Sequence, residues 1–188
     1  MIPIYEQGSG KGIGHNLQSF FERFESICRE HKDSKRAKAF AFIFYDFVDQ
    51  ELRRILNDQG VFAQLDRLSG DELSIFYLHT GTDYAVHEFN SKFLSVLQLE
   101  GKAKPPCVVF FRLGTEGFED IVVAMLSNAD LIHGFRELYE VIERYVSADI
   151  EKAGVGIKSL RWLKSNLRFI SVEAFRAALR KGFEYLPF

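Results

Sequence analysis

Leu17, Phe20, Phe21, Phe24, Ile27 and Cys28 fall at i, i+3, i+4, i+7, i+10 and i+11. That stripe lies on one side of a 3.6-residue repeat and predicts an amphipathic helix over 16–31, with Asn16 as its N-cap. A charged break follows at 32–38. Residues 39–45, Ala-Phe-Ala-Phe-Ile-Phe-Tyr, are apolar on both parities, the mark of a strand covered on both faces as in the middle of a parallel sheet. From 49 to 68, Leu52, Ile55, Leu56, Phe62, Leu65 and Leu68 return to helical spacing, with a kink expected at Gly60.

A Ser69-Gly70-Asp71 turn leads into a second strand over 73–78, and Phe89, Phe93 and Leu97 mark a helix over 84–99. A third strand over 107–113 is reached through Pro105-Pro106. The turn at 114–117 is of hairpin length and joins it to a fourth strand over 121–126. Leu131, Ile132, Phe135, Leu138, Tyr139, Ile142 and Tyr145 predict a helix over 129–146. Past Gly154 and Gly156, two shorter helices are expected, at about 157–167 and, behind a Ser171 cap, about 172–183. The glycine-rich lead over 1–15 is expected to be flexible.

The order over 39–146 is therefore strand, helix, strand, helix, strand, strand, helix. Strands separated by helices pair in parallel through right-handed crossovers, while the hairpin forces one antiparallel pair. The expected core is an α/β four-stranded mixed sheet with helices on both faces. In this order, and in Pro106 immediately before the third strand, residues 39–146 resemble the thioredoxin-like fold superfamily, which places a cis-proline at that junction. The resemblance implies a three-layer domain over 39–146. An N-terminal helix and linker (16–38) and a helical, basic C-terminal extension (147–188) flank it.

Composition narrows the chemistry. Apolar residues make up 47% and charged residues 27% of the 188, which excludes a disordered or collagen-like chain. No uncharged apolar run approaches the ~20 residues of a membrane span, and the first residues lack a signal-peptide pattern. Cys28 and Cys107 are the two cysteines; they form no Cys-x-x-Cys and no disulfide framework, so a soluble, cytoplasmic protein with buried free thiols is expected. Gly8-Ser9-Gly10-Lys11-Gly12 fails the Walker spacing and follows no long strand. His15, His31, His79, His87 and His133 show no zinc-ligand spacing. No cofactor, metal site or catalytic residue is expected.

The thioredoxin-like family carries its redox Cys-x-x-Cys just after the first strand. Here that stretch reads Asp46-Phe47-Val48-Asp49-Gln50, and without a thiolate no disulfide exchange runs. Asp46 or Asp49 is read as the N-cap of the following helix. The resemblance then implies a non-catalytic interaction or adaptor module. Its groove, at Asp46, Phe47, Val48, Pro105, Pro106 and Cys107, together with an exposed strand edge, would hold a protein or peptide; self-association is left open. One alternative is a single-cysteine thiol enzyme, a peroxidase or transferase, using Cys107. Another comes from charge: residues 1–150 carry 16 basic and 23 acidic side chains, a balance of −7, whereas 151–188 carry 8 and 3, a balance of +5. Lys158, Arg161, Lys164 and Arg168 align on one helical face and Arg176, Arg180 and Lys181 on another, with Trp162 available for stacking, a pattern for nucleic acid or for docking on the acidic body.

Overall fold

The computed structural model describes residues 2–5, 15–16, 24, 26–30, 33, 39–70, 73–79, 83–114, 117–126, 131–146, 161–164 and 177. In chain order the elements are β1 (Ile2–Tyr5), β2 (His15–Asn16), β3 (Ala39–Phe44), α1 (Gln50–Asn57), α2 (Gln59–Ser69), β4 (Ser74–His79), α3 (Asp83–Val96), β5 (Cys107–Leu113), β6 (Phe118–Met125), α4 (Leu131–Val146) and β7 (Arg161–Lys164). Phe24 and residues 26–30 are helical as well.

One sheet holds the seven described strands in the order β2-β1-β4-β3-β5-β6-β7. The four strands expected from the apolar runs are its centre. β3 runs parallel to β4, with Phe42 beside Phe76, and antiparallel to β5, with Phe42 beside Val109. β5 and β6 form the expected hairpin. The protein is thus α/β with a mixed central sheet. The hairpin register slips between Phe110 and Arg112, and Asp120 on the longer arm has φ 54°; this is a bulge, and aspartate is among the few non-glycine residues that accept the left-handed region.

The phenylalanines explain the central strand. Phe40, Phe42 and Phe44 alternate along β3 and share a side with Phe76 and Phe111, whose rings stack on them at 5.1 Å (Phe42–Phe76) and 5.5 Å (Phe40–Phe111). Phe24 lies 5.4 Å from Phe40 and 5.7 Å from Phe76, and Phe93 of α3 lies 4.8 Å from Phe42. Ala41, on the opposite parity, pairs with Phe110, which stacks on Tyr145 of α4 at 4.2 Å. Both parities of β3 are therefore dry, as its composition requires.

Three expectations are corrected. First, the described residues of the lead join the sheet: Ile2–Tyr5 pairs in parallel with β4 from Ile2–Phe76 to Tyr5–His79, and His15–Asn16 pairs with Ile4–Tyr5. Asn16 is therefore a strand residue rather than a helix N-cap. Four residues are too few for a periodic signal, yet they satisfy the backbone groups of β4's open edge. Pro3 lies outside the short β2 pairing, an edge position where proline is tolerated.

Second, Arg161–Lys164 is not helical but a strand antiparallel to β6, from Met125–Arg161 to Val122–Lys164. A spacing of three aligns residues along a helix but not along a strand, so the basic face drawn through Arg161 and Lys164 is lost. Pairing with β6's free edge outweighs a helical period carried by only a few residues. The remaining positions of the basic extension, Lys158, Arg168, Arg176, Arg180 and Lys181, lie outside the described residues.

Third, the helix expected over 49–68 breaks at Asp58 rather than bending at Gly60. Asp58 has extended backbone (ψ 118°), gives its N–H to the Arg54 carbonyl, and accepts the Val61 N–H on its carboxylate at 2.9 Å. One residue thereby closes α1 and caps α2. Asp58→Ala is expected to cost about 1 kcal/mol, read as a lower urea midpoint; an unchanged midpoint would deny the cap any energetic role.

Among the described residues, no helix is long and apolar enough to cross a membrane.

Candidate functional site

In open α/β sheets, ligands sit beyond the carboxyl ends of parallel strands. The central parallel pair here is β3 and β4, and the turn after β3 is tied down from several sides. The Tyr45 hydroxyl donates to the Leu78 carbonyl at 2.6 Å, and Asn90 Nδ2 of α3 donates to the Tyr45 carbonyl at 2.9 Å. Next along the chain, the Asp46 N–H donates to Asp49 Oδ2 at 2.7 Å while the Asp49 N–H donates to the Asp46 carbonyl at 2.9 Å. Asp49 is buried and precedes α1, but its carboxylate is committed to this turn and makes no cap bond to the helix. Asp49 thus holds the N-cap position of α1, while its side chain closes the turn instead of bonding to the helix.

Phe47 is half-buried. The Arg53 guanidinium lies 4.0 Å from its ring centroid and donates to its carbonyl at 3.3 Å, a contact that fixes the ring from above. Val48, at the tip, is 80% exposed. Phe44 pairs with Cys107 at the end of the ladder, so Tyr45-Asp46 and Pro105-Pro106 continue from the same end of the two strands. The Pro105–Pro106 bond is cis, and the Pro106 carbonyl accepts the Leu126 N–H at 2.9 Å. Pro105 is half-buried and Pro106 buried.

Cys107 lies wholly inside the sheet between Phe44 and Met125. Burial pushes its thiol up to about 12, and the charge of Asp46 acts in the same direction. A nucleophilic cysteine needs exposure and a lowered pKa; both conditions fail here. Cys28 is also a buried free thiol.

The first turn of α3 completes the surface. Tyr84 is 55% exposed, and Asp83 and His87 are exposed beside it. Desolvation holds the Asp46 carboxyl above its ordinary range, the charges of Asp49 and Asp83 add to this, and His87 opposes it. His79, at the end of β4, is held below its ordinary value by burial and by the Arg53 charge. These groups form a partly dehydrated polar corner around an exposed apolar tip.

Of the groove residues read from the sequence, Asp46, Phe47, Val48 and Pro105 reach the surface, whereas Pro106 and Cys107 belong to the interior. Sequence reasoning missed Asn90, Arg53, Asp83 and Tyr84. Only the position of Asp83-Tyr84 at the head of a helix following β4 hinted at them. Arg161 and Lys164 lie on β7, beyond β6 and away from β4 in the strand order. Among the described residues, no group of three or more His, Cys, Asp or Glu is placed to hold a metal ion. No protein-family model, no curated protein and no solved structure matches this chain significantly.

Proposed function

We propose that this chain is a thioredoxin-like scaffold without redox cysteines, which binds a protein or peptide segment at the surface formed by Asp46, Phe47, Val48 and Pro105. Supporting the scaffold reading are the central order β4-β3-β5-β6, in which β5 alone runs opposite to its companions, and the cis Pro105–Pro106 bond. The rings of α3 and α4 on opposite sides of the sheet favour three layers. The two buried free thiols suit a reducing, cytoplasmic setting.

The observation that carries the binding reading is Val48: a β-branched apolar side chain, 80% exposed, on a turn whose backbone is bonded from both flanks. A rigid apolar projection loses little entropy when covered, so its burial is available for affinity. Strand addition to the central sheet is less favoured, because β1 covers the β4 edge and β7 covers the β6 edge. The burial and raised pKa of Cys107 argue against the thiol-enzyme alternative.

The test is selection of peptides on the immobilised full chain, followed by titration into isotopically labelled protein. Shifts are expected at Asp46–Val48 and Pro105, and Val48→Asp is expected to weaken binding by about tenfold or more. Val48 is exposed, so the variant should fold. Selected peptides that bind Val48→Asp as well as the parent would sink the reading.

A further inference from the structure

This inference rests on the reading of the 46–48 turn as a binding surface and specifies what it binds. We infer that the corner formed by Val48, Tyr84, Asp46 and Asp83 takes a cationic segment of a protein partner, in which an apolar side chain stands next to lysine or arginine.

Val48 and Tyr84 are the exposed large hydrophobic side chains among the described residues. They come from different elements that meet at one place: Asn90 of α3 holds the Tyr45 carbonyl, and the Asp46 carboxyl feels the charges of both Asp83 and His87. Each apolar tip thus stands within two residues of one of two exposed carboxylates, Val48 of Asp46 and Tyr84 of Asp83, and the charges of these carboxylates act on each other. Among the described residues, the nearby cations are committed or peripheral. Arg53 is folded onto Phe47, His87 lies 3.7 Å from Glu88, and exposed Lys104 precedes Pro105. Buried Asp49 adds a third negative charge behind Asp46. An arriving cation is attracted by all three, while an acidic segment is repelled, so charge complementarity selects the partner even where the apolar contact does not. Docking would also cover the two apolar tips, which a monomer otherwise leaves in water.

The test uses full-length protein with the Val48 methyls observed by NMR. The probes are two short peptides sharing a central Val-Tyr pair, one flanked by lysines and the other by glutamates. The lysine peptide is expected to move the Val48 signals and to bind more weakly as salt rises. Asp46→Asn and Asp83→Asn should each weaken it about threefold, the scale of an exposed ion pair. A glutamate peptide that binds as tightly would overturn the charge assignment while leaving the binding surface standing. If neither peptide moves Val48, the binding reading itself falls and takes the inference with it. Val48 signals that shift with protein concentration alone would assign the corner to a second copy and equally overturn the proposal.

Discussion

Phe42→Ala is expected to cost about 3–5 kcal/mol, the range for emptying a fully buried phenylalanine site. Phe42 is completely buried at the centre of the sheet and touches rings on every side: Phe93 at 4.8 Å, Phe76 at 5.1 Å, Phe111 at 5.7 Å, Phe24 at 6.2 Å and Phe44 at 6.3 Å. These neighbours come from the helical segment at Phe24, three strands and α3. They cannot all relax into the void, so the cavity term should be near its upper range. Against a total stability of about 5–15 kcal/mol the loss is large, equivalent to a fall of roughly 6–20 °C in Tm for a chain of this size. Urea unfolding of Phe42→Ala beside Phe42→Leu measures it, the leucine variant losing less because it refills most of the space. A cost below about 1 kcal/mol for the alanine variant would mean that the aromatic cluster is not a packed core.

Alkylation of Cys107 provides the second large effect. Its pKa is displaced from 9.0 to about 12, so at neutral pH the thiolate fraction falls by about a thousandfold, one factor of ten per unit. Iodoacetamide should therefore leave Cys107 untouched in the native protein and modify it rapidly in urea, as read by peptide mass mapping that separates Cys107 from Cys28. Rapid native labelling would reopen the thiol-enzyme alternative.

The same displacement has a pH consequence. The folded state holds the thiol proton more tightly than the unfolded chain does. The resulting stability is fully present below the unfolded value near pH 9 and is lost as pH rises towards 12, by about 4 kcal/mol for three units. Tyr145 adds to this alkaline loss, since burial foremost, with Asp120 contributing, raises its phenol. Cys107→Ala should flatten the stability curve above pH 9, and an unchanged curve would show that the thiol is not the titrating group.

The central architecture was legible because its signals are dense. An apolar run on both parities at β3 demands cover on both faces, and the helical stripes at Leu52–Leu56, Phe89–Phe93 and Leu138–Tyr145 are buried in the core that supplies it. The spacing of the two hairpin strands left no other pairing. The segment ends were less legible. Asp58 and Gly60 sit two residues apart, and either can end a helix; the choice fell to Asp58 because its carboxylate reaches the Val61 N–H at 2.9 Å. At the candidate site, Asp46, Phe47, Val48 and Pro105 followed from element order, whereas Asn90, 45 positions beyond Tyr45, carried no local trace of its partner.

From its own pattern, the chain determined a sheet of four central strands, the aromatic side of β3 and the absence of a thiol in the turn that follows it. These are local properties, written in periods of two and 3.6 residues and in residue identity. Tertiary structure alone decided that Ile2–Tyr5 and Arg161–Lys164 extend the sheet, that Pro106 is buried, and that Asn90 reaches the Tyr45 carbonyl. Each of these depends on which backbone edge or side chain arrives from far along the chain. Free edges and buried polar groups take whatever partner the completed fold brings within reach.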